Sequence, residues 1–459
     1  MIPYSSIAFC GIAGSGMSAI AQVLIKQGIK ISGSDRNFDH GKCLNIKSKL
    51  ESQGIKIYPQ DGSCVTSNVD ALVISTAVEA TIPDIEAAKS QNITIIRRAE
   101  LLALIFNQNN GIAVAGTSGK STVTGILGFL LEQNNCQPAI INGGIMENYK
   151  TDTAIGNAFV AGENYTVIEA DESDGTLELY NPLGGLLLNI SLDHKPLEEL
   201  RPLFLNYANR CKDHLVINYD CPETMALAKK INQYKTFSIK SDKADFYAEN
   251  IIQNPHGSTF VLNEVTFELP QPGLYNIANA LAAISMAIEL GVPLEKLAKS
   301  LAKFKGIGRR LQIIGSKNGR IVIDDFAHNA EKIEASMMTL SHHAGADNRI
   351  LYIYQPHGFA PTRMLKNQLI ETFSKYLRKN DILLLPEIFY AGGTVTRDIS
   401  SNDLVVGIVN NGKDSKFFNN REEIKSWILE NNQEGDTIVI MGARDDTLTD
   451  YAKDILEKI

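Results

Sequence analysis

The stretch IAVAGTSGKSTVTGILGFLLEQ sets an apolar strand before the loop Gly116-Thr117-Ser118-Gly119-Lys120-Ser121-Thr122 and an amphipathic helix after it. Small residues in such a loop let successive backbone N–H groups wrap a phosphate chain. The lysine brings charge to the β- and γ-oxygens, and a serine hydroxyl can reach a magnesium ion. The spacing is the short G-T-x-G-K-[ST] form, since Val114 stands where the longer loop has glycine. ATP and Mg²⁺ are the expected ligands. A metal at such a loop needs further oxygens, and VIEADESDG supplies Glu169 at a strand end with Asp171, Glu172 and Asp174 behind it. At another strand end, LLLNISLDHKPL carries Asp193 and His194. A second-metal or phosphate role for His194 and a structural one are both open.

A second phosphate signal lies at the start of the chain. SIAFCGIAGSGMSAIAQVL runs from a strand through Gly11, Ala13, Gly14, Ser15 and Gly16 into a helix that opens with Met17 and Ser18. Gly11 permits the tight turn, Gly16 permits close packing, and the helix N-terminus offers N–H groups to a diphosphate. Asp35 ends the next strand, where an acid meets a ribose hydroxyl in dinucleotide folds. Ser75 and Thr76 end the strand VDALVIST. The motif reports phosphate and ribose, not base, so a nicotinamide dinucleotide and a nucleotide-sugar both fit it.

Further polar residues sit on elements that could bring them to these loops. Asn276 and Asn279, in GLYNIANALAAISMA, share one helix face. They could cap that helix or hydrogen-bond a nucleotide. Arg309 and Arg310 follow flexible glycines; one of them could stabilise a transferring phosphoryl group, and at least one is expected to be a solvated linker residue. IVIDDFAHNAEKI ends a strand with Asp324, Asp325 and His328, and LYIYQPHGFAPTR places His357 and Arg363 after another. Ligands of open α/β sheets collect beyond strand carboxyl ends, so all five are candidate contacts.

Strand and helix patterns alternate almost throughout the 459 residues, which predicts α/β layers with parallel sheets. Three units are expected. Residues 1–106 form a Rossmann-like domain around the glycine turn, 107–311 a central P-loop ATPase domain, and 312–459 a second Rossmann-like domain. The polar stretch NQNN (107–110) reads as the first linker. A net charge of −8 gives no reason to expect nucleic acid or an anionic membrane as partner. Six scattered cysteines without metal-ligand spacing suggest free thiols. With no secretory leader and no run long enough to span a bilayer, a cytoplasmic protein, monomer or homodimer, is expected.

The order of motifs resembles the Mur ligase family over nearly the whole chain: glycine turn, GT-x-GK-[ST], E-A-D-E-S-D, D-H, G-x-x-N-x-x-N-A, R-R and D-D-F-A-H. The resemblance implies three domains, for a UDP-sugar, for ATP and for an amino acid or peptide. It implies an ATP-dependent carbon–nitrogen ligase of peptidoglycan precursor synthesis or recycling. An amino acid, or a peptide, would be joined to UDP-N-acetylmuramate through an acyl phosphate. The opening is similar to both the branch that adds L-alanine and the branch that adds a tripeptide; YQPHGFAPTR is similar to the former, and DDFAH is closer to the latter.

By carry-over, Gly116 to Thr122 serve ATP, Ser121 and Glu169 the magnesium ion, and His194 a second metal ion. Asn276 and Asn279 approach the nucleotide, Arg310 (or Arg309) the γ-phosphate, and Asp324 or Asp325 the nucleoside. The glycine turn, Asp35, Ser75 and Thr76 serve the UDP-sugar, and His328, His357 and Arg363 the acceptor. The chain departs from the family pattern at Ser118 and Lys195, and in the expected acceptor domain at Asn329 and Gly358. Two readings from other classes remain: a nicotinamide-dependent oxidoreductase, and a nucleotide-binding protein without ligase activity.

Overall fold

The computed structural model describes residues 2–75, 79, 81–172, 176–191, 196–254, 257–344, 348–390, 396–443, 445 and 447–459. Its first sheet contains β1 (Ser6–Cys10), β2 (Lys30–Ser34), β3 (Lys56–Tyr58), β4 (Ala71–Ile74) and β5 (Thr94–Arg97). All are parallel, in the order β3-β2-β1-β4-β5. Ile7, Ala8, Phe9 and Cys10 are all buried, as a strand covered on both faces requires. The strand order reverses between β1 and β4, so the glycine turn opens at the crevice where such sheets bind ligands.

The second sheet holds β6 (Asn110–Ala115), β7 (Pro138–Ile141), β8 (Ala158–Val160), β9 (Tyr165–Ala170), β10 (Gly184–Leu187), β11 (His214–Asn218), β12 (Lys235–Ser238) and β13 (Phe246–Tyr247). Their order is β13-β12-β11-β10-β6-β9-β7-β8, parallel except that β8 runs against β7. A small sheet of β14 (Glu249–Asn254), β15 (Gly257–Leu262) and β16 (Val265–Leu269) follows, with β15 and β16 antiparallel. Strand–helix alternation does not predict it. The alternating burial of β15 marks a sheet with one wet face, and Phe260 stacks on Phe267 on the dry one.

The third sheet comprises β17 (Gln312–Lys317), β18 (Arg320–Asp325), β19 (Ile350–Tyr354), β20 (Ile382–Pro386), β21 (Ser415–Phe418) and β22 (Thr437–Met441), in the order β17-β18-β22-β19-β20-β21. Only the edge strand β17 is antiparallel. The three α/β sheets are the expected three-domain architecture. No described helix is long and apolar enough to cross a membrane, and all six cysteines are free.

The chain divides into two compact units: Met1–Ile252 with Ser258–Pro270 and Asn276–Ile307, and Gln253–Gly257 with Gln271–Tyr275 and Gly308–Ile459. The first unit holds the first two sheets, and the expected linker between them is not one. The helix Arg98–Gln108 runs almost directly into β6. Asn107 donates to Leu179 O at 2.9 Å and accepts from Asn181 N at 2.9 Å, while Asn109 donates to Thr166 Oγ1 at 3.2 Å. The polar residues here are exposed or half-buried, yet two of them tie the junction through hydrogen bonds. A buried amide pair ties the same sheets elsewhere: Gln22 Nε2 donates to Asn157 Oδ1 at 2.8 Å.

Candidate active site

The loop after β6 turns on two glycines in the left-handed half of backbone space, Gly116 at φ +140° and Gly119 at φ +91°. Lys120 begins the helix Lys120–Gln133, whose free N–H end and dipole favour anions. Its Nζ lies 2.7 Å from Gly116 O and 2.7 Å from Glu172 Oε2. That carboxylate is 2 % exposed. The loop is braced from β10's side by Asn189, which the sequence reading missed. Asn189 Oδ1 accepts from Thr117 Oγ1 and Ser118 N, each at 2.8 Å, and its amide donates to Ser118 O at 3.0 Å. The only sequence signal was its place between the strand LLL and Asp193-His194.

Asn279 also reaches this loop: a Cβ on Gly119 would fall 2.6 Å from its Oδ1. Asn276 lies one turn earlier on the helix Leu274–Glu289 and is buried. Glu169 sits on β9, in register with Val114 of β6. Its Oε2 accepts from Ser121 Oγ at 2.8 Å, and its Oε1 accepts from Gly143 N. Two oxygen donors side by side at a phosphate loop suit a magnesium ion. Among the described residues no group of three or more His, Cys, Asp or Glu side chains could hold a metal by itself. Asp174, Asp193, His194 and Lys195 lie outside the described residues.

At the glycine turn Gly11 has φ +84°, and the N–H groups of Gly11 and Ile12 both donate to Ser34 O. Asp35 faces inward. Its Oδ2 accepts from Ala13 N and its Oδ1 from Asn37 N, each at 2.9 Å, so it braces the turn and caps the following helical turn. Gly14 precedes the helix Ser15–Lys26, in which Met17 and Ser18 are buried. Asn157 holds this helix end from the second sheet, donating to Ser15 O at 2.7 Å and Ser18 Oγ at 3.0 Å. A Cβ on Gly16 would lie 3.0 Å from an Arg98 guanidinium nitrogen. Arg98 is therefore a cation at the turn that motif reading overlooked, although IIRRAELL announced it. Ser75 directly follows β4, and Thr76 lies outside the described residues.

In the second unit, Arg309 (φ +59°) and Leu311 (φ +44°) both adopt left-handed backbone. Asp325 holds the bend by accepting from Leu311 N at 3.1 Å and from Ser336 Oγ. Neither arginine is a solvated linker residue. Arg309 pairs with Asp324 at 3.3 Å and donates to Gly442 O at 2.6 Å. Both guanidinium groups stack on Phe326, at 5.0 Å and 4.9 Å. Burial raises the carboxyls of Asp324 and Asp325 above the usual range, with Arg309 opposing this at Asp324 and Ser336 at Asp325.

His328 Nδ1 lies 2.8 Å from Phe326 O, and its ring meets the His357 ring edge-on at 5.8 Å. Burial, then the charges of Lys332, His357 and Arg310, pushes the His328 imidazole down to about 4. Asn329 caps the helix Ala330–His343 by accepting from Lys332 N at 3.0 Å. Gly358 has φ +74° where the helix Phe359–Tyr376 begins, a conformation that an arginine there would adopt under strain. Arg363 pairs with Asp398 and donates to Thr396 O at 3.2 Å.

Three family models match the chain in series: "Mur ligase family, catalytic domain" over residues 6–110, "Mur ligase middle domain" over 114–287, and "Mur ligase, glutamate ligase domain" over 309–444. A UDP-N-acetylmuramate–L-alanine ligase of Geobacter sp. (strain M21) is 32% identical over 452 residues, covering 95% of this chain and 94% of that one. One from Dictyoglomus turgidum is 34% identical over 417 residues, covering 88% and 86%. The crystal structure of a UDP-N-acetylmuramate-alanine ligase from Thermotoga maritima matches the fold with a TM-score of 0.80 at 23% identity, covering 98% of each chain. A murein peptide ligase from Psychrobacter arcticus matches with a TM-score of 0.69 at 22% identity, covering 99% and 98%.

Proposed function

The chain belongs to the Mur ligase family of ATP-dependent ligases, and from that premise we propose that it joins L-alanine to UDP-N-acetylmuramate in peptidoglycan precursor synthesis. The observation that carries the proposal is the assembly of Lys120, Ser121, Glu169 and Asn279 around one phosphate loop. ATP phosphorylates the muramyl carboxylate, the amine attacks the acyl phosphate, and phosphate leaves as the amide forms. Little covalent help is needed from the protein; it positions the reactants and offsets charge.

In this reading Lys120 and the loop N–H groups hold the ATP phosphates. Ser121 and Glu169 would hold a magnesium ion, which would supply charge neutralisation for the phosphate chain, and His194 would hold a second metal ion. Asn276 and Asn279 approach the nucleotide. Arg310, or Arg309, serves the γ-phosphate. Asp324 and Asp325, with their oxygens engaged inside the unit, serve the nucleoside side by shaping the Arg309–Leu311 bend. The glycine turn binds the UDP-sugar diphosphate with Arg98 beside it, Ser75 and Thr76 at the sheet edge, and Asp35 stiffening the turn. His328 and His357 face the amine acceptor, and Arg363 anchors the segment next to them. The protein acts in the cytoplasm as a monomer or homodimer.

The test is phosphate release with ATP, Mg²⁺, UDP-N-acetylmuramate and a panel of amino acids and the murein tripeptide, followed by product mass. L-alanine is expected to give the fastest release. A clear preference for the tripeptide moves the protein to recycling, and no substrate-dependent release from any acceptor refutes the ligase reading.

A further inference from the structure

An amino acid or peptide acceptor brings a carboxylate that stays ionised, and a protein site binds such a group best with a guanidinium fork. Neither Arg363 nor Gly358, where the chain departs from the family pattern, offers one. Gly358 has no side chain, and the guanidinium of Arg363 is held by Asp398 and by the Thr396 carbonyl. Those two contacts fall on either side of Arg397. They tie the carbonyl of residue 396 and the side chain of residue 398 to the helix Phe359–Tyr376.

Arg397 lies on an aromatic platform. Its Cζ is 4.3 Å from the Tyr390 ring centroid and 5.8 Å from that of Phe359. Phe359, Ile388 and Ile399 form a small buried cluster, and Tyr390 packs on it, so the platform is part of a core. Arg397 is exposed, and among the described residues it makes no ion pair or hydrogen bond. Stacking holds the face of a guanidinium and leaves its N–H edge for a planar anion.

The same platform is continuous with the two histidines. Phe389 N donates to Pro356 O at 2.8 Å, and Gly358 N donates to Phe389 O at 2.9 Å. His357 thus lies beside Phe389, and the ring of His328 packs on that of His357. We propose that Arg397 binds the carboxylate of the amine acceptor, held in place by Tyr390, Phe359 and the Arg363 clamp on residues 396 and 398. The inference rests on the ligase reading above.

The experiment measures steady-state phosphate release for wild type, Arg397→Ala and Arg397→Lys. It uses the acceptor that gives the fastest release and the carboxamide of that acceptor. For Arg397→Ala the acceptor KM is expected to rise about tenfold or more. KM for ATP and for UDP-N-acetylmuramate should stay within about twofold, because no contact of Arg397 involves the phosphate loops. The preference for acceptor over carboxamide should collapse in Arg397→Ala and return in part in Arg397→Lys. Unchanged acceptor KM and unchanged carboxamide discrimination overturn the assignment alone. No release from the wild type with any acceptor overturns the ligase reading and the assignment with it. If Arg397→Ala is less soluble, Arg397→Gln carries the same comparison with a polar, uncharged side chain.

Discussion

The phosphate loop depends on a residue that no motif contains. The Asn189 side chain makes three hydrogen bonds to Thr117 and Ser118, two to the backbone of Ser118 and one to the Thr117 hydroxyl. A net worth of about 0.5–1.5 kcal/mol each makes it a substantial restraint on the loop, beside the Ser191 contacts to the Thr117 hydroxyl. Asn189→Ala is expected to raise KM for ATP about tenfold, with a smaller effect on KM for UDP-N-acetylmuramate. Equal increases in both, by initial-rate kinetics, would show that the loop is held elsewhere.

His328 offers a second check at this scale. Its ordinary value of 6.5 falls to about 4 in the folded protein, so between these pH values the unfolded chain binds the extra proton. Stability therefore rises with pH across that window, by up to about 1.4 kcal/mol per pH unit, and is level above it. Urea unfolding of wild type and His328→Gln at pH 4.5, 5.5 and 7 should show a difference that narrows or reverses toward acid. A constant difference would mean that the ring titrates normally.

Two elements meet at the phosphate loop, the strand–loop–helix of β6 and the helix Leu274–Glu289. Gly119 is where they touch. Its φ of +91° suits glycine, and any Cβ would strike the Asn279 amide. Gly119→Ala is expected to cost about 1–3 kcal/mol in stability and to reduce ATP turnover more than tenfold, as the lysine beyond it is displaced. Combining it with Asn279→Ala removes the clash but not the backbone strain, so thermal stability should recover only in part. Full recovery would assign the cost to the contact alone. The amide pair Gln22–Asn157 acts at the same scale, because it sets the glycine-turn helix against the second sheet inside one unit.

For the molecule as a whole, two compact units carry different motifs, and ligands should reveal that division. ATP with Mg²⁺ binds only folded protein, so at a hundred times its Kd it adds about 2.7 kcal/mol. A calorimetric scan should show one transition raised by about 4–6 °C. Lys120→Ala should abolish this shift while UDP-N-acetylmuramate still produces its own. A shift with NADH in place of both nucleotides would return the glycine turn to the dinucleotide reading.

Much of this molecule was legible along the chain because its chemistry is local. Lys120, Ser121 and the glycines of both turns lie within short contiguous motifs, where backbone conformation and side-chain spacing are set by neighbouring residues. The parallel strands were legible for the same reason, since burial on both faces forces unbroken apolar runs such as ILLLP and TIVIM. What tertiary structure alone decided are the long-range pairings. Asp35 turned inward to Ala13, Arg98 came beside Gly16, and Asn189 closed on Ser118. Gly358 and Asn329 proved to shape helix starts, while Arg397 came to rest on Tyr390. The Arg98, Asn189 and Arg397 contacts join residues that share no period or motif, whereas the Asn329 cap and the Gly358 bend are local. A buried or stacked polar group takes its partner from whatever the packing of separate elements brings within reach.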